Sequence, residues 1–207
     1  GVELKDHFHR LTALHKSSQT LRTFNKESCR FGYRNSIFKQ EARNEYIILS
    51  VTFCLHTRPQ IKTNYGSVAS ELQEMGVDNP GIADVRKAVC RIRESKLPDP
   101  EITGNAGSFF KNPVIPQKQF LSLKQSFPGI PAYPDSQGVK VPAGWLIEQT
   151  GWKGFRNGDA GVHQHQALVL VNHGTASGEE IVKLATEIQH SVKEKFNIDL
   201  LPEVNLY

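Results

Sequence analysis

An α+β fold is the architecture that this 207-residue sequence predicts. Its early segments are short, alternating and bounded by turns, as antiparallel strands require, whereas its later segments interleave apolar strand-like runs with helical stripes. A composition with 38% hydrophobic and 22% charged residues supplies core for one large or two small domains and excludes a disordered chain.

Phe8 to Lys16 and Thr20 to Phe24 alternate on either side of Ser17-Ser18-Gln19, which predicts an antiparallel hairpin with a short loop. Phe31 to Phe38 reads as an irregular connection. Tyr46 to Leu55 is almost continuously aliphatic, aromatic or β-branched and predicts a strand buried on both faces. Ser67 to Glu74 has helical composition, and after Asn79-Pro80 the residues Ile82, Val85, Val89 and Ile92 share one helix face. Leu97-Pro98-Asp99-Pro100 stops that helix in a stiff linker, so a domain boundary is expected near Leu97. Gln117 to Ser126 suits a helix ended by Pro128, and Pro142 to Gln149 suits another with its proline in the first turn. Ala167 to Val171 predicts a buried strand. Ser177 and Glu180 make a capping box ahead of the stripe Ile181, Leu184, Ile188, Val192 and Phe196.

Lys+Arg 25 against Asp+Glu 21 leaves a formal +4, too mild and too dispersed for nucleic acid, though compatible with a local anion site for a phosphorylated ligand. The longest apolar run, Tyr46 to Leu55, is far too short to span a bilayer, and no charged segment precedes an apolar one at the start, so a soluble cytoplasmic protein is expected. Cys29, Cys54 and Cys90 are an odd set without metal-ligand spacing, and reduced, buried thiols are expected, Cys54 and Cys90 on apolar faces. His163-x-His165 puts two imidazoles on one strand face, but no carboxylate or cysteine stands at a partnering spacing, so no metal is expected. Trp145, beside Leu146 and Ile147, reads as core.

The richest chemistry lies in GNAGSFFKNP, Gly104 to Pro113. Its glycines let backbone approach a ligand, Asn105 and Asn112 offer amides, Ser108 a hydroxyl and Lys111 a positive charge. A purely structural turn ahead of Phe109 and Phe110 accounts for the same residues equally well.

SKLPDP (Ser95 to Pro100) followed by that segment closely resembles the UDP-N-acetylenolpyruvoylglucosamine reductase family. The likeness continues through CRFGYRNSIFK from Cys29, NYG from Asn64, PAGWLIEQTGWKG from Pro142, HQHQALVLVN from His163 and LPEVNLY from Leu201, essentially end to end. It implies a C-terminal fragment lacking the first part of the FAD-binding region, for no glycine-rich phosphate loop occurs in these residues. On this reading residues 1–97 are the second part of a flavin-binding α+β domain. Residues 98–198 are a smaller α/β domain that binds a UDP-sugar, and residues 199–207 are a tail returning to the active site.

The resemblance implies reduction of UDP-N-acetylglucosamine enolpyruvate to UDP-N-acetylmuramate with FAD and NADPH, a cytoplasmic step of peptidoglycan synthesis, without nucleic-acid or membrane partners. Ser108 matches the family's proton donor; Arg34 and Glu203 match the residues near the substrate carboxylate. Tyr65, Lys96, Asn112, Tyr133, Lys153 and Gln166 match the substrate site, in the family branch whose tyrosine-bearing loop closes over substrate, and Tyr33 is placed on the flavin side. The fragment itself is expected to lack catalysis. A UDP-sugar-binding module without redox activity is the rival reading.

Overall fold

Alternation near the start of the chain builds an antiparallel sheet. In the computed structural model, which describes residues 3–64 and 66–206, a single helical turn α1 (Leu4–His7) leads into β1 (Phe8–His15). β1 pairs with β2 (Leu21–Asn25) and with β3 (Tyr46–Phe53), in the order β2-β1-β3. The predicted hairpin is therefore present. Phe8, Leu11 and Ala13 of β1 turn inward with Phe24 of β2. The Asn25 side chain accepts from Ser28 N at 2.8 Å and starts the short helix α2 (Lys26–Cys29). Cys29 at its end, Ile37 of a 3-10 turn (Ile37–Lys39) and Ala42 complete the core. Edge-on aromatic contacts of Phe24 with Tyr46 and Phe38, at 5.1 and 5.2 Å between ring centres, close one side.

β3 corrects the sequence expectation. Composition predicts burial on both faces, yet seven of its eight residues are exposed. The reason is positional: among the described residues β3 is an edge strand, hydrogen-bonded to β1 alone. A bulge sharpens the exposure. Thr12 pairs with Ser50 and Ala13 with Ile48, which leaves Leu49 without a cross-strand partner and 56% exposed. Cys54, just beyond the strand, is exposed and Cys90 half-buried, so of the three thiols only Cys29 is buried as expected.

Helices α3 (Val68–Glu74) and α4 (Ile82–Lys96) form where composition predicts them. α3 buries Val68 and Leu72. The α4 stripe is only partly covered: Ile82 and Val89 are exposed, Val85 and Ile92 half-buried, and Ala88 is the helix's buried residue. The chain divides into two compact units inside this helix, Gly1–Ala88 and Val89–Tyr207.

Within the second unit, β4 (Gly104–Ser108) is followed by β5 (Val114–Ile115), α5 (Gln117–Ser126), β6 (Tyr133–Asp135), β7 (Gly138–Lys140) and α6 (Ala143–Gln149). Then come β8 (Arg156–Asn157), β9 (Ala160–Val162), β10 (Val169–Asn172) and α7 (Gly178–Phe196). One sheet has the order β4-β10-β9-β8 and another β5-β7-β6. All their pairings are antiparallel, so alternation of strands and helices along the chain does not create a parallel sheet here. Gly138 is required where β7 meets β5, because a Cβ there would stand 2.4 Å from the Ile115 carbonyl oxygen.

α7 carries the largest apolar stripe. Ser177 and Glu180 make the predicted capping box, and Leu184, Ala185, Ile188, Val192 and Phe196 are buried. Each large side chain contributes roughly 1.5–3 kcal/mol. Trp145, expected in the core, is half-buried and packs against it, edge-on to Phe127 and against Phe196. Lys195 donates to the Gln149 carbonyl and ties α7 to the end of α6. The Asp159 carboxylate, which accepts from the Thr175 N–H and hydroxyl, braces the loop after β10; those bonds, with Arg156, hold its pKa below the usual value. No helix among the described residues is long and apolar enough to cross a membrane.

Two outcomes follow from this packing. Light scattering on a sizing column is expected to find the 207-residue chain self-associated through the β3 edge. Leu49→Lys, at a position unpaired in the ladder, should shift it to monomer with a melting temperature almost unchanged; a wild-type chain that is monomeric up to about 100 μM would contradict this. The second outcome concerns His163, whose Nδ1 is sealed from solvent without a partner and whose ring lies 5.6 Å from that of His165. Burial, then His165 and His173, lower its pKa from 6.5. The folded chain protonates this ring less readily than the unfolded chain does, so the ring costs stability progressively as pH falls below about 6.5. Melting temperatures from about pH 8 to 5 should decline less steeply in His163→Gln than in wild type.

Candidate active site

Ser108 ends β4, opposite Val169 of β10, with its side chain exposed and its hydroxyl unpartnered among the described residues. The next residue leaves that sheet: Phe109 N still donates to the Leu168 carbonyl at 2.8 Å, and Phe109 and Phe110 then enter the core. From here the chain pairs with the C-terminal tail. Lys111 N donates to the Leu201 carbonyl at 2.9 Å, Phe110 bridges Pro202, and Glu203 N donates to the Phe109 carbonyl at 2.8 Å. Two of the three predicted catalytic residues are thereby brought together: Glu203, half-buried, is bonded through its backbone to the residue following Ser108.

A second pair meets at the start of α6. The Asn112 side-chain oxygen accepts from Ala143 N at 2.9 Å, in the first turn of the helix. Gln166 approaches the same turn from the loop before β10, its Oε1 close over Gly144 and 3.4 Å from Leu168 N. Since Asn112 lies four residues beyond Ser108, in the segment between β4 and β5 anchored by the two phenylalanines, both pairs hang from one short segment.

The other predicted residues are spread along the chain. Lys153 sits beyond the far end of α6, its ammonium 2.7 Å from Glu148 Oε1. Tyr133 opens β6 opposite Lys140 and is exposed. Lys96 is the last residue of α4 and is exposed. Tyr33 and Arg34 belong to the first unit, at the tip of a two-residue turn closed by reciprocal backbone bonds between Gly32 and Asn35 at 2.9 and 3.2 Å. Both are exposed, and Arg34 takes a left-handed φ of 53°. Tyr65 lies outside the described residues.

Glu148 and Gly144 were not anticipated as site residues. An acid five positions before a base across a helix end is a common surface pattern, and a glycine near a helix start invites no ligand by itself. Among the described residues no group of three or more His, Cys, Asp or Glu is arranged to hold a metal ion.

Residues 99–207 match the family model described as UDP-N-acetylenolpyruvoylglucosamine reductase, C-terminal domain. The chain is 51% identical over 208 residues to the UDP-N-acetylenolpyruvoylglucosamine reductase of Pseudomonas savastanoi pv. phaseolicola, covering 100% of this chain and 61% of that protein. Its identity to the enzyme of that name from Pseudomonas aeruginosa is 50%, with the same coverage. The chain thus spans about 61% of the length of these relatives. In fold it is similar to the crystal structure of UDP-N-acetylenolpyruvylglucosamine reductase from Thermus caldophilus, with a TM-score of 0.59 and 22% identity over 98% of this chain and 54% of that one. With more than half of its residues matched by the family's C-terminal domain and half of its positions identical to such relatives, this chain belongs to the UDP-N-acetylenolpyruvoylglucosamine reductase family.

Proposed function

We propose that the polypeptide carrying this chain reduces UDP-N-acetylglucosamine enolpyruvate to UDP-N-acetylmuramate in the cytoplasm, with NADPH as reductant and FAD as carrier, in peptidoglycan synthesis. The observation that supports this most is the tail pairing, which holds Glu203 beside the segment presenting the exposed Ser108 hydroxyl, in a chain of this family. Turnover is expected only from a polypeptide of the relatives' length.

Of the described residues, Tyr33, exposed at the tip of its turn, fits a place against a flat cofactor ring. FAD, when bound, supplies the hydride. The chain's own residues then answer the charge that builds on the substrate. Arg34 pairs with the substrate carboxylate, where a guanidinium matches both oxygens. Glu203 hydrogen-bonds the same group as it takes on enolate character. Ser108 gives its hydroxyl proton to the carbon bearing the negative charge and regains one from solvent; an alcohol suffices as donor because a carbanion is a strong base. Lys96 and Lys153 offer charge to the diphosphate, Asn112 and Gln166 offer amides to polar edges, and Tyr65 and Tyr133 close over the bound molecule.

Ser108→Ala in a polypeptide of full family length separates the roles. NADPH should bleach the flavin band at the wild-type rate, while recovery on adding substrate slows by roughly 10²–10⁴-fold, the usual weight of a general acid. Recovery at the wild-type rate would remove Ser108 from the reaction.

A further inference from the structure

Gly144 stands where its backbone does not ask for glycine. It is the second residue of α6, its φ is not in the left-handed region, and alanine is the better helix former. Ala143, Leu146 and Ile147 beside it are fully buried, while Gly144 itself is half-buried.

What occupies the space of a missing methyl does explain it. A Cβ at Gly144 would lie 3.2 Å from Gln166 Oε1, 3.4 Å from Leu168 Cγ and 3.7 Å from Leu168 Cδ1. The leucine distances are ordinary van der Waals contacts. The first is tighter, and the atom that must yield is the far end of a flexible side chain. Little else restrains it, since the bond from Leu168 N to Gln166 Oε1 is long, at 3.4 Å. A methyl here would move the carboxamide and leave the backbone in place.

We infer that Gly144 is a positioning residue for Gln166: by carrying no side chain it lets the Gln166 carboxamide lie against the first turn of α6 in the orientation that meets the sugar nucleotide. This rests on the proposed placement of Gln166 in the substrate site and adds the residue that sets its geometry.

The test is a double-mutant cycle on the 207-residue chain, with UDP-N-acetylglucosamine titrated by calorimetry and a thermal melt of each variant. Gly144→Ala should melt at or above the wild-type temperature yet bind roughly fivefold more weakly, the size of one neutral hydrogen bond. Gln166→Ala should lose a similar factor, and Gly144→Ala added to it should cost nothing more. A purely structural glycine predicts the opposite, a lowered melting temperature and a further loss in the double variant, and either result overturns the inference. So does wild-type affinity in Gly144→Ala. If the wild-type chain itself binds no UDP-N-acetylglucosamine, the substrate-site reading fails and carries this inference with it, an outcome distinct from normal wild-type binding with an unaffected variant.

Discussion

Pairing of the C-terminal tail with residues 109–111 is the constraint on which the geometry of the second unit depends. Two interactions sustain it and they do different work. Phe109 and Phe110 are almost wholly buried, Phe110 to 1% exposure, and burying each side chain is worth roughly 1.5–3 kcal/mol. The backbone bonds from Lys111 to Leu201 and from Glu203 to Phe109 are worth about 0.5–1.5 kcal/mol each in net terms. Aromatic burial therefore dominates the docking energy, while the bonds select the register. Gln189, on α7, adds a third hold by donating to the Leu200 carbonyl at 2.7 Å.

Register matters because a slip of one residue turns every side chain to the other face. Pro202 limits that slip. It lies between the residue whose carbonyl accepts from Lys111 and the residue whose N–H donates to Phe109, and it has no N–H of its own. A tail shifted to put Pro202 where Glu203 stands would leave the Phe109 carbonyl without its donor. The backbone position of Glu203 against Phe109 is thus specified by the proline before it, as well as by the apolar residues Ile198 and Leu200 that precede it into the core.

What sequence could show divides along the same line, between local and long-range causes. The helix Gln117–Ser126 and the capping box of α7 were legible because helix ends are decided by a few neighbouring residues. The hairpin of β1 and β2 was legible for the same reason. Burial was not. Tyr46 to Phe53 has the composition of an interior strand, but burial is a property of the neighbours, and among the described residues β3 pairs with one strand. The exposed Cys54, expected on an apolar face, is an error of the same origin. In the site, spacing alone could not join Ser108 to Glu203 or Asn112 to Gln166, since each pair meets across much of the unit; only the family resemblance named them together. Gly144 and Glu148 escaped because their meaning lies in what packs beside them.

Arg34 shows how a strained backbone can argue for a side chain. A left-handed φ at a non-glycine residue costs about 1–2 kcal/mol, and glycine would adopt the same turn without that cost. The surroundings are built to hold the strain: Gly32 and Asn35 exchange both backbone bonds across the turn, and Asn35 uses its side-chain oxygen to accept from Ser36 N at 3.0 Å. Nothing in the backbone explains why an arginine rather than a glycine stands there. The turn presents the Arg34 side chain at the tip of two residues whose shape is fixed by the bonds between Gly32 and Asn35. Under the role proposed for Arg34, a cation held on such a turn stabilises charge on a bound carboxylate without reorganising as that charge forms.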